Sequence, residues 1–233
     1  MRLSHYHALA DLFAYPDAEF PLGAKAAKHT IDDQYPAAAK AVERFLELLP
    51  ASDVVAMQEL YIRSFDVQAM TTLDIGYVLF GDDYKRGELL ANLNREHLEA
   101  DNECGNELAD HLPNLLRLLP KLQDEALVEE LAESVLAPAL KAMISEFSSE
   151  RIEKKNEAYK KHYKTIIDTP YVPDEAITLY QFPLQALYDV LKQDFSLVES
   201  TPSIETSDFL GSLRTENEIE ERVEQMAQVG DAT

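Results

Sequence analysis

Apolar side chains recur along most of this chain at every third or fourth position, the spacing that places them on one face of an α-helix. The first stripe ends at Tyr15-Pro16-Asp17, because proline cannot continue a helix. Its members are Leu3, Tyr6, Leu9, Ala10 and Phe13. The same spacing predicts a second helix from about Pro36 to Pro50.

The middle of the chain predicts three further helices. Ser52 or Asp53 can cap the first of them. Its buried side is expected to carry Val54, Val55, Leu60, Tyr61 and Phe65. Residues 74–81 have the β-branched and aromatic content of a strand, but a short helix is favoured because the chain offers no partner strand. The next helix begins at Asp82 and extends to about Ala100.

The C-terminal half changes character along its length. An amphipathic segment covers residues 124–147, and Pro138 inside it predicts a kink or a break. A helix with a basic cluster is predicted over residues 149–167, and a short docked helix over 179–191. The pattern therefore predicts an all-α, single-domain helical bundle over residues 1–168. A loosely docked extension is expected over 169–198, and an acidic, partly disordered mobile tail over 199–233.

Composition adds a strong charge to this picture. The formal net charge is -22, and half of that excess lies between residues 165 and 233, which hold 14 acids and three bases. Such a charge repels phosphate backbones and anionic lipids, so neither nucleic acid nor membrane insertion is expected, whereas a basic partner is favoured. The chain shows no signal-peptide core, and its single cysteine, Cys104, excludes an intramolecular disulfide. We expect a soluble, cytoplasmic monomer.

The segment with the most candidate functional residues is Glu107-Leu-Ala-Asp-His-Leu-Pro113, where an acid and an imidazole lie next to each other at the N-terminal end of an apolar helix. Pro113 fits the first turn of that helix, and residues 101–106 form a polar, turn-like run before it. One interpretation is that Asp110 caps the helix while His111 is simply exposed. The other is that both side chains contact a partner, in which case their replacement weakens binding with little loss of stability.

Enzyme signatures are missing from the sequence. It contains no glycine-rich phosphate loop and no hydrolase or metalloprotease motif, and no histidine has a glutamate three positions before it, as a di-iron bundle requires. His5 and His7 do not share a helical face, and His97, His111 and Cys104 do not define a metal site. We therefore expect no catalytic residues, no metal and no cofactor.

Four segments resemble the TorD, DmsD and NarJ family of chaperones for molybdenum enzymes, and most closely its NarJ branch, the nitrate reductase delta subunit. Order and spacing are similar over about residues 3–168, although Ala109 replaces a proline of the last motif. The four motif segments are Leu9-Ala-Asp-Leu-Phe-Ala-Tyr-Pro-Asp17, Leu60-Tyr-Ile-Arg-Ser-Phe-Asp66, Asp82-Asp-Tyr-Lys-Arg-Gly87 and Glu107-Leu-Ala-Asp-His-Leu-Pro113.

This resemblance implies a non-catalytic, system-specific chaperone. Such a protein binds the N-terminal segment of the apo catalytic subunit of a molybdenum oxidoreductase of the nitrate reductase type. It assists insertion of the molybdenum cofactor and an iron-sulfur cluster before assembly or export. An alternative is a structural subunit retained in a mature respiratory complex. A nucleotide-dependent enzyme is a second alternative, for which the sequence offers no phosphate loop.

A client segment of this kind is a short amphipathic helix with basic residues, which an apolar groove flanked by acids can accept. His111 could donate a hydrogen bond to it or change its charge near neutral pH. The candidate client-binding residues are Asp110, His111, Glu107, Asp82, Asp83, Tyr61, Phe65, Tyr77 and Tyr84.

Overall fold

The computed structural model describes residues 3–67, 69–148, 151 and 178–197. Within these ranges the chain is an all-α single domain, and its only β-type pairing is an isolated antiparallel bridge between Asp74 and His111. The α-helices are α1 (His5–Ala10), α2 (Phe20–Ile31), α3 (Pro36–Leu48), α4 (Val54–Phe65), α5 (Ile75–Phe80), α6 (Tyr84–Glu99), α7 (Leu112–Leu118), α8 (Glu125–Glu130), α9 (Ala137–Glu146) and α10 (Gln181–Asp194).

The first apolar stripe is confirmed as helix α1 followed by a 3-10 turn over Asp11–Phe13. Its predicted inward residues are all buried, and they form part of one core shared by the helices. Helix α3 also lies where the spacing predicts it. By contrast, α2 had no counterpart among the predicted elements. Small residues, Ala24 and Ala27, form much of its buried face, so it lacks the large apolar stripe that marks its neighbours.

Helix α4 confirms the predicted cap but corrects one of its faces. The Asp53 carboxylate accepts a hydrogen bond from the backbone amide of Ala56 at 3.0 Å. Val55, expected to be buried, is 72% exposed, because the inward face is carried by Met57, Leu60 and Phe65 instead. The short helix preferred over a strand at residues 74–81 is confirmed as α5.

The interruption predicted at Pro138 takes the form of a π-helical turn. Leu131–Leu136 is π-helical and joins α8 to α9, and Pro138 occupies the first turn of α9. Proline offers no amide to the preceding turn and crowds the carbonyl four residues before it, so the wider π turn accommodates it without ending the helical course.

Helix α10 is an integral part of the core, which corrects the expectation of a loosely docked extension for residues 178–197. It packs against α3 and α9. Its inward side chains are fully buried: Leu184, Ala186, Leu187, Val190 and Leu191. The predicted helix over 149–167, apart from Arg151, lies outside the described residues, as does the predicted tail over 199–233.

Candidate functional site

The bridge between Asp74 and His111 joins two segments that are distant in sequence. The amide of Ile75 donates to the carbonyl of Asp110 at 3.0 Å, and the amide of Leu112 donates to the carbonyl of Leu73 at 2.8 Å. The start of α5 is therefore fixed against the start of α7. As a result, the side chains of residues 74 and 111 lie at one end of the bundle.

A second set of hydrogen bonds fixes the loop before α7. His97, buried in α6, bonds the carbonyl of Ala109 through Nε2 at 3.0 Å, and Asn102 bonds its Nδ1 at 2.9 Å. The side-chain amide of Asn114 donates through Nδ2 to the backbone carbonyls of Cys104 and Leu108. Burial lowers the pKa of His97, which favours the neutral ring that this pattern requires. Asp110 and His111 are thus held by a rigid loop.

Asp110 is a buried anchor rather than an accessible contact, and this corrects one sequence-based expectation. Its side chain is 0% exposed. Oδ2 accepts from the amide of Gly76 at 3.1 Å and from Nε of Arg86 at 3.2 Å. It does not cap α7, whose N-cap is His111. Burial raises the pKa of the Asp110 carboxyl, and the Arg86 charge opposes that rise.

Gly76 allows this anchor to form. A Cβ atom on residue 76 would lie 2.7 Å from Oδ2 of Asp110 and 3.1 Å from Cγ of Arg86. The first distance is shorter than van der Waals contact, so any side chain larger than hydrogen would displace the carboxylate. Glycine at this position therefore permits the close approach of the α5 backbone to Asp110.

Arg86 links the buried anchor to a second carboxylate nearer the surface. Its Nη2 donates to Oδ2 of Asp74 at 2.9 Å, while its guanidinium carbon lies 5.4 Å from the centre of the Tyr77 ring. Burial acts to lower the pKa of Arg86, but the charges and hydrogen bonds of Asp110 and Asp74 outweigh it, so the pKa is raised. Arg86 remains cationic between two acids.

His111 lies at the outer edge of this network, with its side chain 13% exposed. Its Nδ1 is 3.3 Å from Oδ1 of Asp74 and 3.9 Å from Oε2 of the exposed Glu107. The hydrogen bond with His111 is the main cause that lowers the pKa of Asp74. The charge of Arg86 lowers it further, while burial opposes both. Asp74 is consequently ionised at neutral pH.

The aromatic candidates on α4 face both the core and this network. The Tyr61 hydroxyl donates to the carbonyl of Phe13 at 3.3 Å, and its ring centre lies 5.3 Å from those of Tyr15 and Phe65. Burial raises the pKa of Tyr61, and the nearby charge of Glu107 adds to the rise. Phe65 is buried against Tyr180, so it supports the site from within rather than lining its surface.

The remaining predicted residues lie around the start of α6. Tyr77, beside Arg86, is 44% exposed, and Tyr84, at the start of α6, is 55% exposed. Asp83 caps α6 by accepting from the amide of Lys85 at 2.9 Å. Asp82 is exposed in the turn that precedes this cap. Of the nine predicted residues, Asp110 and Phe65 are buried and Tyr61 and His111 are partly buried. The other five are exposed: Asp82, Asp83, Tyr77, Tyr84 and Glu107.

No cluster of three or more histidine, cysteine, aspartate or glutamate side chains within the described ranges is arranged to hold a metal ion. Cys104 is half-buried in the loop before α7, and burial raises the pKa of its thiol, which makes it a poor nucleophile. Over the same residues, no helix combines the length and apolar character needed to cross a membrane.

Sequence reasoning missed two residues that organise this site, Asp74 and Gly76, and did not list Arg86 as a contact although it lies in the third motif segment. Asp74 is 37 positions from His111 and Arg86 is 24 from Asp110, so neither pairing follows from local spacing. The available signal was Arg86, one of two adjacent bases among the acids of residues 82–88.

Comparison with known proteins gives no assignment. No protein-family model matches the chain, and no curated protein matches it significantly.

Proposed function

We propose that this protein is a chaperone that binds the N-terminal segment of the apo catalytic subunit of a molybdenum oxidoreductase of the nitrate reductase type. In this role it assists insertion of the molybdenum cofactor and an iron-sulfur cluster in the cytoplasm, before assembly or export, and catalyses no reaction itself. The basis is the resemblance of four motif segments to the TorD, DmsD and NarJ family. The observation that carries the proposal is that these four segments contact one another in two pairs, of which the second lies beside His111.

Each segment takes part in one of two contacts. Tyr15, from residues 9–17, packs edge-on against Tyr61, from residues 60–66. Arg86, from residues 82–87, pairs with Asp110, from residues 107–113. The carboxylate of Glu107, 3.9 Å from Nδ1 of His111, is also near enough to Tyr61 for its charge to raise the pKa of that hydroxyl. These two pairs, which we call the motif cluster, bring together segments up to about a hundred positions apart in the sequence, and this supports a shared binding surface.

The charge of the cluster suits a basic partner. Asp66 and Glu107 are exposed, and Asp74 is only partly buried, whereas Arg86 is already engaged by two carboxylates. The surface therefore keeps a negative excess, in line with the net charge of -22 for the whole chain. Acids of this kind steer a basic segment to the surface and set its orientation.

Apolar surface lies beside those acids. Tyr15, Tyr77, Tyr84 and Leu108 are large and exposed, and each is close in sequence or in space to a member of the cluster. Exposed aromatic groups next to carboxylates are the combination that accepts an amphipathic helix, since the rings contact its apolar face and the acids contact its basic residues.

The proposal is tested by capture from the native cytoplasm. The tagged full-length chain, with His111→Ala and His29→Ala as variants, is expressed under anaerobic respiration, and bound proteins are identified by mass spectrometry with their molybdenum content. His29 is the matched control because it is an exposed histidine on α2, outside the motif cluster. We expect wild type and the His29 variant to recover a molybdenum-poor catalytic subunit, and the His111 variant to recover about tenfold less.

Two outcomes would contradict the proposal. Recovery of cofactor-loaded holoenzyme in fixed ratio with this chain would favour the retained structural subunit. Failure of the wild-type chain to recover any molybdenum-enzyme subunit would remove the chaperone role.

A further inference from the structure

The two nitrogens of the His111 ring have different surroundings. Every polar contact of this ring within the described residues goes to Nδ1, which faces the carboxylates of Asp74 and Glu107. Nε2 has no hydrogen-bond partner among the described residues. It is also not one of their buried, unpartnered polar atoms, so it is accessible from the surface. Nε2 is therefore the nitrogen that is open to a binding partner.

The carboxylates decide which nitrogen carries the proton in the neutral ring. An ionised carboxylate can only accept hydrogen bonds, so Nδ1 must be the donor towards Asp74. Arg86 occupies the other oxygen of Asp74 through its 2.9 Å hydrogen bond, which leaves Oδ1 directed at the imidazole. The lowered pKa of Asp74 agrees with an ionised acceptor. With its proton on Nδ1, neutral His111 presents a lone pair at Nε2.

We propose that Asp74, held by Arg86, is a positioning residue that fixes His111 in the Nδ1-protonated tautomer, so that Nε2 accepts a hydrogen bond from a lysine or arginine of the bound segment. The identity of that segment rests on the proposed chaperone function. The inference reverses the expectation from sequence that His111 donates. It also assigns a chemical requirement to the partner, because a donor must face Nε2 while the surrounding acids favour a cationic one.

The isosteric variant Asp74→Asn gives the sharpest test. Arg86 can only donate, so it will retain the oxygen of the introduced amide and turn the amide NH2 group towards His111. Nδ1 must then accept, and the proton moves to Nε2. In Asp74→Ala only the more distant carboxylate of Glu107, 3.9 Å away, faces Nδ1, so the ring samples both tautomers. The tautomer is read from long-range 1H–15N correlation spectra of the labelled full-length protein, recorded at a pH where the 15N shifts of the ring show its neutral form. The His111→Ala spectrum assigns the signal.

We expect the Nδ1-protonated form in wild type, the Nε2-protonated form in Asp74→Asn and a mixture in Asp74→Ala. A wild-type ring protonated on Nε2, or a tautomer unchanged in Asp74→Asn, would overturn the inference. The tautomer is measured without a partner, so this part of the inference is tested even if the capture experiment contradicts the chaperone function.

Affinity supplies the second readout, with the synthetic N-terminal peptide of the captured catalytic subunit as the probe. Asp74→Asn should weaken binding by about tenfold or more, because a donor then faces a donor, and Asp74→Ala should weaken it by about threefold. The order matters, since the isosteric variant is the milder change to packing. If Asp74 acted only by its charge, the two variants would bind equally, and if it acted only by packing, Asp74→Ala would be the weaker binder. Equal binding by the two variants, or weaker binding by Asp74→Ala, would contradict the inference.

Discussion

Two pairs of a carboxylate and a histidine stand at different depths in the described part of this protein, and they differ in what surrounds them. Asp194 and His5 join the end of α10 to α1 at 2.8 Å, with side chains only 8% and 9% exposed, and the Tyr35 hydroxyl donates to the same carboxylate. Asp74 and His111 lie 3.3 Å apart at the edge of the fold, beside exposed Glu107 and Tyr77.

The difference separates a contact that holds the fold from one that can bind. Both carboxylates have lowered pKa values: burial acts against that at Asp194, but hydrogen bonds from His5 and Tyr35 outweigh it. The Asp194 carboxylate is enclosed by its own hydrogen-bond donors. Around Asp74 the inner side is occupied by Arg86, which also pairs with Asp110, while Nε2 of His111 and the exposed ring of Tyr77 remain open. The residue types are the same, so their depth in the fold decides their use.

The largest expected effect is on stability at the inner pair. Asp194→Ala leaves His5 and Tyr35 buried without their acceptor, which should lower the free energy of unfolding by about 2 to 4 kcal/mol. Urea unfolding followed by circular dichroism measures this. Asp189→Ala is the matched control, because Asp189 lies on the same helix, is partly exposed and accepts from the neighbouring Gln185 at 2.9 Å. Equal losses in both variants would contradict the role given to Asp194.

The next effect concerns the close approach of α5 to the buried anchor. Gly76→Ala forces its Cβ against Oδ2 of Asp110, so we expect a loss of about 1 to 3 kcal/mol in unfolding free energy. Gly87→Ala is the control, since nothing lies within 4 Å of its Cβ position on α6, and alanine there should be neutral or stabilising by up to about 1 kcal/mol. A tolerated Gly76→Ala would show that the anchor is not tightly packed.

Asp74 and Asp110 should contribute opposite pH dependences to the stability of the protein at acid pH. The pKa of Asp74 is lowered, so its stabilisation is present above the unfolded value of about 4 and disappears as pH falls through the folded value. The pKa of Asp110 is raised, so stability falls as pH rises above about 4 through its folded value. The unfolding free energy of Asp74→Asn should therefore approach or exceed that of wild type as the pH falls. For Asp110→Asn the same gain relative to wild type is expected as the pH rises. Unfolding measured across this pH range checks both, and parallel profiles would be inconsistent with the burial of Asp110.

The smallest effect on stability is expected at the outer histidine. His111→Ala removes a partly exposed ring with one long hydrogen bond, so its unfolding free energy should fall by less than about 1 kcal/mol. Thermal unfolding of this variant beside His29→Ala measures the difference. A loss as large as that of Asp194→Ala would mean that His111 holds the fold in the way that His5 does.

The sequence predicts the helices of this fold better than its contacts. Large apolar residues at helical spacing identify α1 and α3, and the residue type identifies the cap at Asp53. The start of α6 was predicted two residues early, at Asp82, because Asp82 and Asp83 precede the helix instead of forming its first turn. Helix α2 was missed because Ala24 and Ala27 carry little hydrophobic signal, although their spacing with Ile31 is helical.

The site was predicted in part for the same reason. The adjacent pair Asp110-His111 stands out locally, but its burial does not, since Asp110 becomes an anchor only through Gly76 and Arg86. Likewise, Asp194 meets His5 across 189 positions. Such pairings depend on how the helices pack, and local periodicity carries no information about packing partners.

The role of His111 in binding is tested most directly by calorimetric titration of the N-terminal peptide of the captured catalytic subunit into the wild-type chain, Asp194→Ala and His111→Ala. We expect one peptide per chain, binding that weakens with added salt, and an affinity that is about tenfold lower in His111→Ala but unchanged in folded Asp194→Ala. An absence of binding to wild type, or an equal loss in both variants, would contradict this role.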